Sequence, residues 1–154
     1  MAETLQSIAL WFAEARPKST RDSFRVQVGV HFEEIGEMLE SLNSLDGPTR
    51  KLLNDAEDAI KAFANHLKTR DHARLIVTDN KGLLDALCDQ VVTATGVAHE
   101  QRYNFAGALD EVNASNYSKF VDGKAVFDEN GKIKKGPKYF KAVLDSYAPF
   151  NPNG

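Results

Sequence analysis

The sequence predicts an all-α protein, an antiparallel helical bundle with a small C-terminal β-hairpin. Apolar residues recur at helical spacing through most of the first 113 residues, and turn residues such as Asp46-Gly47-Pro48 divide them into segments of helix length. The pair Asn130-Gly131 lies between two short segments, 125–127 and 132–134, and is a strong hairpin signal. We therefore expect helices first and a hairpin near the end.

The predicted elements follow in order. The first helix covers about residues 4–15, and Arg16-Pro17 ends it. Thr20 or Asp22 caps a second helix that runs to about Asn43. The remaining helices are predicted at about 49–68, 80–99 and 99–113. At 154 residues we expect one domain over 1–154, with a helical core over about 4–113 and a basic hairpin tail over about 119–154.

Composition and charge narrow the function classes. The net charge is −3, and the basic residues are concentrated in the tail, so a general nucleic-acid binder is not expected. The single cysteine, Cys88, excludes an internal disulfide and fits a reducing compartment. No apolar run is long enough to span a membrane, and the N-terminus lacks a secretory segment. We expect a soluble, cytoplasmic protein, in the host cytoplasm if a phage encodes it.

Two aspartates stand in an apolar helix. Asp85 and Asp89 are the only charged residues between Gly82 and His99, where leucine and valine are spread around the whole circumference. A helix that is apolar on all sides is typical of a bundle interior. Residues four apart share one helical face, and burying two carboxylates without a cation is costly. This pattern predicts a metal ion opposite Asp85 and Asp89.

A second acidic group lies upstream, on the predicted second helix, which is amphipathic. Glu34 and Glu37 are three residues apart on one flank of its apolar stripe, and Glu33 lies further round. Four carboxylates with few nearby sulfur or nitrogen ligands suit Mg²⁺, with Mn²⁺ as a substitute. Two alternatives stay open: a solvated glutamate face, and salt bridges from the aspartates to Arg25 or Arg102.

These motifs resemble the all-α nucleoside triphosphate pyrophosphohydrolases of the MazG type, which include helical dUTP- and dCTP-cleaving enzymes and phosphoribosyl-ATP pyrophosphohydrolases. The resemblance spans about residues 22–140. It depends on Glu33-Glu34-x-x-Glu37, on the later acidic pair, and on the segments Ser115-Asn116-x-Ser118-Lys119 and Lys135-Gly136-Pro137, which look like the tail of short phage and bacterial members. The family's second motif is Glu-x-x-Asp; here Asp89 matches its end, but Ala86 stands at its start and Asp85 one residue earlier.

The resemblance implies Mg²⁺-dependent cleavage of a nucleoside triphosphate to the monophosphate and pyrophosphate. Glu34, Glu37, Asp85 and Asp89 would hold the metal, and Glu33 would position or deprotonate the attacking water or share in metal binding. The resemblance also implies a homo-oligomer, a dimer or tetramer with sites near subunit interfaces. The alternative from another class is a non-enzymatic helical interaction protein, or a metal-binding bundle, that retains the scaffold.

Substrate-binding residues are predicted from their chemistry. Asn116 and Lys119 are suited to phosphate oxygens, as is Lys135 in the tail; for Ser115 and Ser118 a helix end running into a turn is an equal alternative. Trp11 and Gln27 are candidates for stacking on the base and reading its edge, with Phe12 and His31 as further candidates, although Trp11 and Phe12 also fit a core. The short phage-type layout favours dGTP, with dUTP or dCTP as alternatives.

Overall fold

The computed structural model describes residues 2–129 and 132–149, without the side chain of Ala2. These residues form five α-helices, α1 (Ala2–Ala15), α2 (Arg21–Glu40), α3 (Gly47–Thr69), α4 (Asn80–Glu100) and α5 (Phe105–Tyr117), and no β-strand. The all-α class predicted from the sequence is therefore confirmed. The observed helix bounds differ most from the predicted ones at the last helix, which begins at Phe105 rather than near His99. The reason is that α4 ends at Glu100 and Arg102 follows with a φ of 60°.

The chain divides into two compact units. Lys18–Thr78 forms one, which contains α2 and α3 and is called the hairpin unit below. Met1–Pro17 and Asp79–Gly154 form the other, which contains α1, α4 and α5 and is called the tail unit.

Local signals in the sequence set where each of the two helices of the hairpin unit begins. Thr20 and Ser23 form a reciprocal capping box at the start of α2. Asp46 caps α3 by accepting a hydrogen bond from the Thr49 backbone N–H at 2.8 Å, with Pro48 in the first turn. The connection between the helices, residues 41–46, is short, so α2 and α3 pack antiparallel.

Small residues bring α2 and α3 together. Gly29 and Gly36 of α2 are buried, as are Ala64 and Leu67 of α3. A Cβ built on Gly29 would lie 3.0 Å from the carbonyl oxygen of Ala64, so a glycine is needed for this close approach. Beside this contact, the Phe32 and Phe63 rings meet edge to face, with centroids 5.2 Å apart.

The tail unit is organised around α1 and α5. The Trp11 ring of α1 stacks on Phe120, with centroids 5.7 Å apart and an interplanar angle of 4°. The Tyr117 hydroxyl donates to the Ser7 carbonyl at 2.7 Å, and the Asn113 side chain donates to the Ser7 hydroxyl at 2.9 Å. These contacts fix α5, and with it the predicted substrate-binding residue Asn116, against α1.

The prediction that α4 is an interior helix is wrong for this chain. Every residue from 80 to 94 is exposed, and Leu84 and Val92 keep 63% and 66% of their accessible surface. Ala98, near the end of the helix, is its one buried residue among those described. A helix that is apolar on all sides is stabilised when other elements bury it, but its sequence does not specify which elements do so.

The predicted C-terminal β-hairpin is not seen among the described residues, and its turn, Asn130-Gly131, lies outside them. An isolated antiparallel bridge joins Phe127 and Ile133, and the Asp128 N–H donates to the Lys132 carbonyl at 2.8 Å. One flanking bond continues the pairing, from the Lys134 N–H to the Val126 carbonyl at 2.7 Å. Further out the backbone bonds elsewhere, because the Ala125 N–H donates to the Glu14 carboxylate at 3.2 Å and the Gly136 N–H to the Lys119 carbonyl at 3.1 Å. The pairing is therefore too short to form strands.

Within the described residues, no helix combines the length and the apolar composition that crossing a lipid bilayer would require.

Candidate functional site

Three predicted site residues lie together on the second half of α2. The backbone of the helix places Glu33, Glu34 and Glu37 within about one turn of one another. Glu34 and Glu37 are exposed, whereas Glu33 is half-buried. The hairpin unit therefore presents these carboxylates beside its packed interface rather than inside it.

The electrostatics of this group are visible at Glu34. Partial desolvation raises the pKa of its carboxyl group above the ordinary value, and the negative charges of Glu37 and then Glu33 raise it further. His31 opposes these effects and lowers it. Desolvation and the repulsion between the acids therefore both favour a proton, or another cation, at Glu34.

A cavity of about 320 Å³ opens between this flank of α2 and the facing side of α3. Its charged lining comes from Glu33, Glu37 and Glu40 on α2 and from Lys61 and Lys68 on α3. The Lys68 ammonium donates to the Glu33 carboxylate, and Lys61 bridges Glu40 and Glu57, at 2.8 Å from the latter. The cavity therefore carries both carboxylates and ammonium groups.

Sequence reasoning missed Lys61 and Lys68. They are seven residues apart on α3, which places them on one face, and the short 41–46 connection pairs that face with the glutamates in antiparallel order. That combination of spacing and loop length was the signal that could have found them.

Asp85 and Asp89, the other two predicted metal ligands, belong to α4 in the tail unit, and both are exposed. The Asp89 backbone carbonyl accepts a hydrogen bond from the Thr93 hydroxyl at 2.9 Å. Among residues 2–129 and 132–149, no group of three or more His, Cys, Asp or Glu side chains is arranged so that it could hold a metal ion. The burial that motivated a cation at these aspartates is therefore absent from this chain.

Three of the predicted substrate-binding residues meet in the tail unit. The Trp11 indole N–H donates to the Asn116 carbonyl at 3.0 Å, and the Lys119 ammonium donates to the Asn116 side-chain oxygen at 2.7 Å. The same ammonium lies 5.9 Å from the centroid of the Trp11 ring. Trp11, Asn116 and Lys119 thus form one connected cluster.

The other predicted substrate residues lie apart from that cluster. Gln27 is an exposed residue of α2, and the Lys135 ammonium lies over the Tyr139 ring, 4.6 Å from its centroid. Ser115 and Ser118 have structural partners, because the Ser115 hydroxyl donates to the Phe140 carbonyl at 2.8 Å and the Ser118 hydroxyl accepts from the Phe140 N–H at 3.1 Å. These hydrogen bonds favour a structural role for the two serines, in which they anchor the segment around Phe140 to α5.

Comparison with protein-family models, with curated proteins and with solved structures gives no match. The resemblance to the MazG-type enzymes therefore depends on the quoted motifs alone.

Proposed function

We propose that the protein is a Mg²⁺-dependent nucleoside triphosphate pyrophosphohydrolase that forms the monophosphate and pyrophosphate. One observation carries the proposal: Glu33, Glu34 and Glu37 lie within about one turn of α2, beside a cavity that Glu33 and Glu37 line. Desolvation and then the like-charged neighbours raise the pKa of Glu34 inside this motif. A divalent cation relieves this repulsion, and oxygen ligands are the donors that Mg²⁺ prefers. The oxygen chemistry of these side chains suits Mg²⁺, while the described residues do not by themselves assemble three such ligands.

In this proposal Glu34 and Glu37 hold Mg²⁺, with Mn²⁺ as a substitute, and Asp85 and Asp89 stay predicted ligands on sequence grounds. The ion would neutralise phosphate charge and acidify a bound water. Glu33 would orient that water or accept its proton, and its contact with Lys68 keeps the carboxylate directed at the cavity between α2 and α3. Lys61 and Lys68 supply cations that could contact the phosphates once the carboxylates bind the ion.

The predicted substrate is a nucleoside triphosphate, and the resemblance to the MazG-type enzymes favours dGTP over dUTP and dCTP. The cluster of Trp11, Asn116 and Lys119 provides an ammonium group beside an aromatic ring, which suits a phosphate next to a base. Gln27 and Lys135 remain predictions for base and phosphate contacts.

A homo-oligomer forms part of the proposal. The exposed leucine and valine residues of α4 support it, because a second copy of the chain would remove this apolar surface from water. Sedimentation velocity should then give a species of at least twice the 17.0 kDa chain mass, and a monomer at all concentrations would contradict it.

The activity is tested by measuring pyrophosphate release from a panel of ribo- and deoxynucleoside triphosphates with Mg²⁺, with Mn²⁺ and with a chelator. We expect metal-dependent release that Glu37→Gln abolishes while the far-UV circular dichroism spectrum is unchanged. Glu3→Gln removes one exposed carboxylate from the first turn of α1 and should keep full activity.

A second class of function stays open, a helical interaction protein that retains the scaffold. The exposed apolar surface of α4 is the observation that favours it. Absence of turnover for every nucleotide, together with no binding of Mg²⁺ at Glu34 and Glu37, would overturn the enzyme and favour this alternative. An active Glu37→Gln variant would remove Glu37 from the metal site.

A further inference from the structure

A buried arginine lies near the start of the hairpin unit. Arg25 of α2 keeps only 5% of its accessible surface, and its guanidinium donates to the Leu67 carbonyl of α3. Its Nε is buried and makes no hydrogen bond among the described residues. The nearest carboxylate oxygen, on Asp22, lies 3.7 Å away on a side chain that is 76% exposed. A buried cation with such weak compensation is costly, and an anion would stabilise it.

Arg25 lines a cavity of about 270 Å³, which lies between the first turns of α2 and the segment that follows α3. Two further arginines line it, Arg21 and Arg74, and Asp22 is the one acidic residue of its lining. Positive charge therefore dominates the cavity walls. Guanidinium groups are planar, permanently charged donors that match the oxygens of phosphate.

A second, more open cavity of about 440 Å³ adjoins the first and shares Arg21, Leu75 and Ile76 with it. Phe24 and Val77 complete its apolar lining. An anionic group in the first cavity could therefore carry an apolar or aromatic group into the second one.

We propose that these two cavities form a binding site for a phosphate-bearing small molecule, with the phosphate between Arg21, Arg25 and Arg74 and an apolar group against Phe24, Leu75 and Ile76. The site is separate from the acidic motif, because Arg25 and Glu33, the nearest residue of that motif, are eight residues apart on α2, about 12 Å along the axis. It needs no metal ion and does not depend on the proposed hydrolase activity.

The test uses the whole protein without divalent metal. Inorganic phosphate is titrated at constant ionic strength, with chloride as the reference anion, and binding is followed by calorimetry and by amide chemical shifts. Arg21→Gln and Arg74→Gln each remove an exposed arginine, and each should weaken phosphate binding about tenfold, the effect of one charge-assisted hydrogen bond. Because the Arg74 guanidinium also donates to the Asp71 and Ala73 carbonyls, far-UV circular dichroism checks that its variant keeps the fold. Arg50→Gln makes the same charge change at the first turn of α3, at the other end of the unit, and should leave binding unchanged.

The acidic residue provides a test of opposite sign. Asp22→Asn should tighten phosphate binding, whereas Asp58→Asn, an exposed aspartate of α3, should have no effect. Phenyl phosphate should bind more tightly than inorganic phosphate if the apolar cavity is part of the site. Absence of phosphate binding, or equal weakening by Arg50→Gln and Arg74→Gln, would overturn the proposal; phenyl phosphate binding no tighter than phosphate would overturn its apolar half.

Discussion

Gly29→Ala tests how the helix pair that carries the acidic motif is assembled. An alanine Cβ at this position would lie 2.9 Å from Lys68 Cγ, 3.0 Å from the Ala64 carbonyl oxygen and 3.1 Å from Leu67 Cβ. The lysine carbon can move, but the other two atoms belong to or adjoin the α3 backbone. The substitution therefore forces α2 and α3 apart.

The size of the effect follows from two opposing contributions. Overpacking a tight contact costs about 1–3 kcal/mol, while replacing glycine by alanine inside a helix gains about 1 kcal/mol. The expected net loss is about 1 kcal/mol, the middle of the resulting range, or a fall of about 2–4 °C in the melting temperature of a chain this size.

Gly36→Ala is the matched control. Its Cβ would approach only flexible side-chain carbons, Lys61 Cγ at 3.2 Å and Ile60 Cγ2 at 3.8 Å. The helix-propensity gain should dominate, so we expect stabilisation by about 0.5–1 kcal/mol. Urea unfolding followed by far-UV circular dichroism measures both variants, with hydrogen exchange of the α2 amides to assign the change to the hairpin unit. A Gly29→Ala protein at least as stable as the wild type, or equal losses in both variants, would refute this account of the contact.

Two further predictions concern the candidate site and the tail unit. Because the pKa of Glu34 is raised in the folded protein, its folding contribution is most favourable below the unfolded pKa and is lost as pH rises through the folded pKa. Glu34→Gln should therefore stabilise the metal-free protein at neutral pH, by no more than about 0.5 kcal/mol at this exposed position, and the difference should vanish below about pH 4. Trp11→Phe keeps a ring beside Phe120 but removes the hydrogen bond to the Asn116 carbonyl, so we expect a loss of about 1 kcal/mol in urea unfolding.

Each of these two predictions has a result that would contradict it. A stability difference for Glu34→Gln that persists unchanged at low pH would show that the negative charge of Glu34, through its desolvation and repulsion, is not the cause. A Trp11→Phe protein as stable as the wild type would mean that the Asn116 carbonyl loses nothing when the indole donor is removed.

Much of the helical framework could be predicted from the sequence, because the signals are local. Thr20 caps α2 and Asp46 caps α3, both through side-chain oxygens that accept backbone N–H groups within three residues. The grouping of Glu33, Glu34 and Glu37 follows from helical spacing alone. Such features need no knowledge of distant residues.

Contacts between elements could not be predicted in the same way. The apolar stripe of α2 suggested a core, yet the close contact with α3 is made at Gly29 and Gly36, whose role depends on the distance to a facing backbone. The predicted C-terminal β-hairpin is reduced to a short pairing for a similar reason, since beyond the bonds at Val126 and Asp128 the N–H groups of Ala125 and Gly136 donate to Glu14 and Lys119, which lie elsewhere in the tail unit.

The sequence alone determined where helices form and which carboxylates share a helical face, because those properties depend on neighbours within one or two turns. The tertiary structure decided which faces are covered. It placed Lys61 and Lys68 beside the glutamates, buried Arg25 next to two other arginines, and left Asp85 and Asp89 exposed on α4. Burial and charge pairing arise from segments far apart in the chain, so only the packed helices can define them.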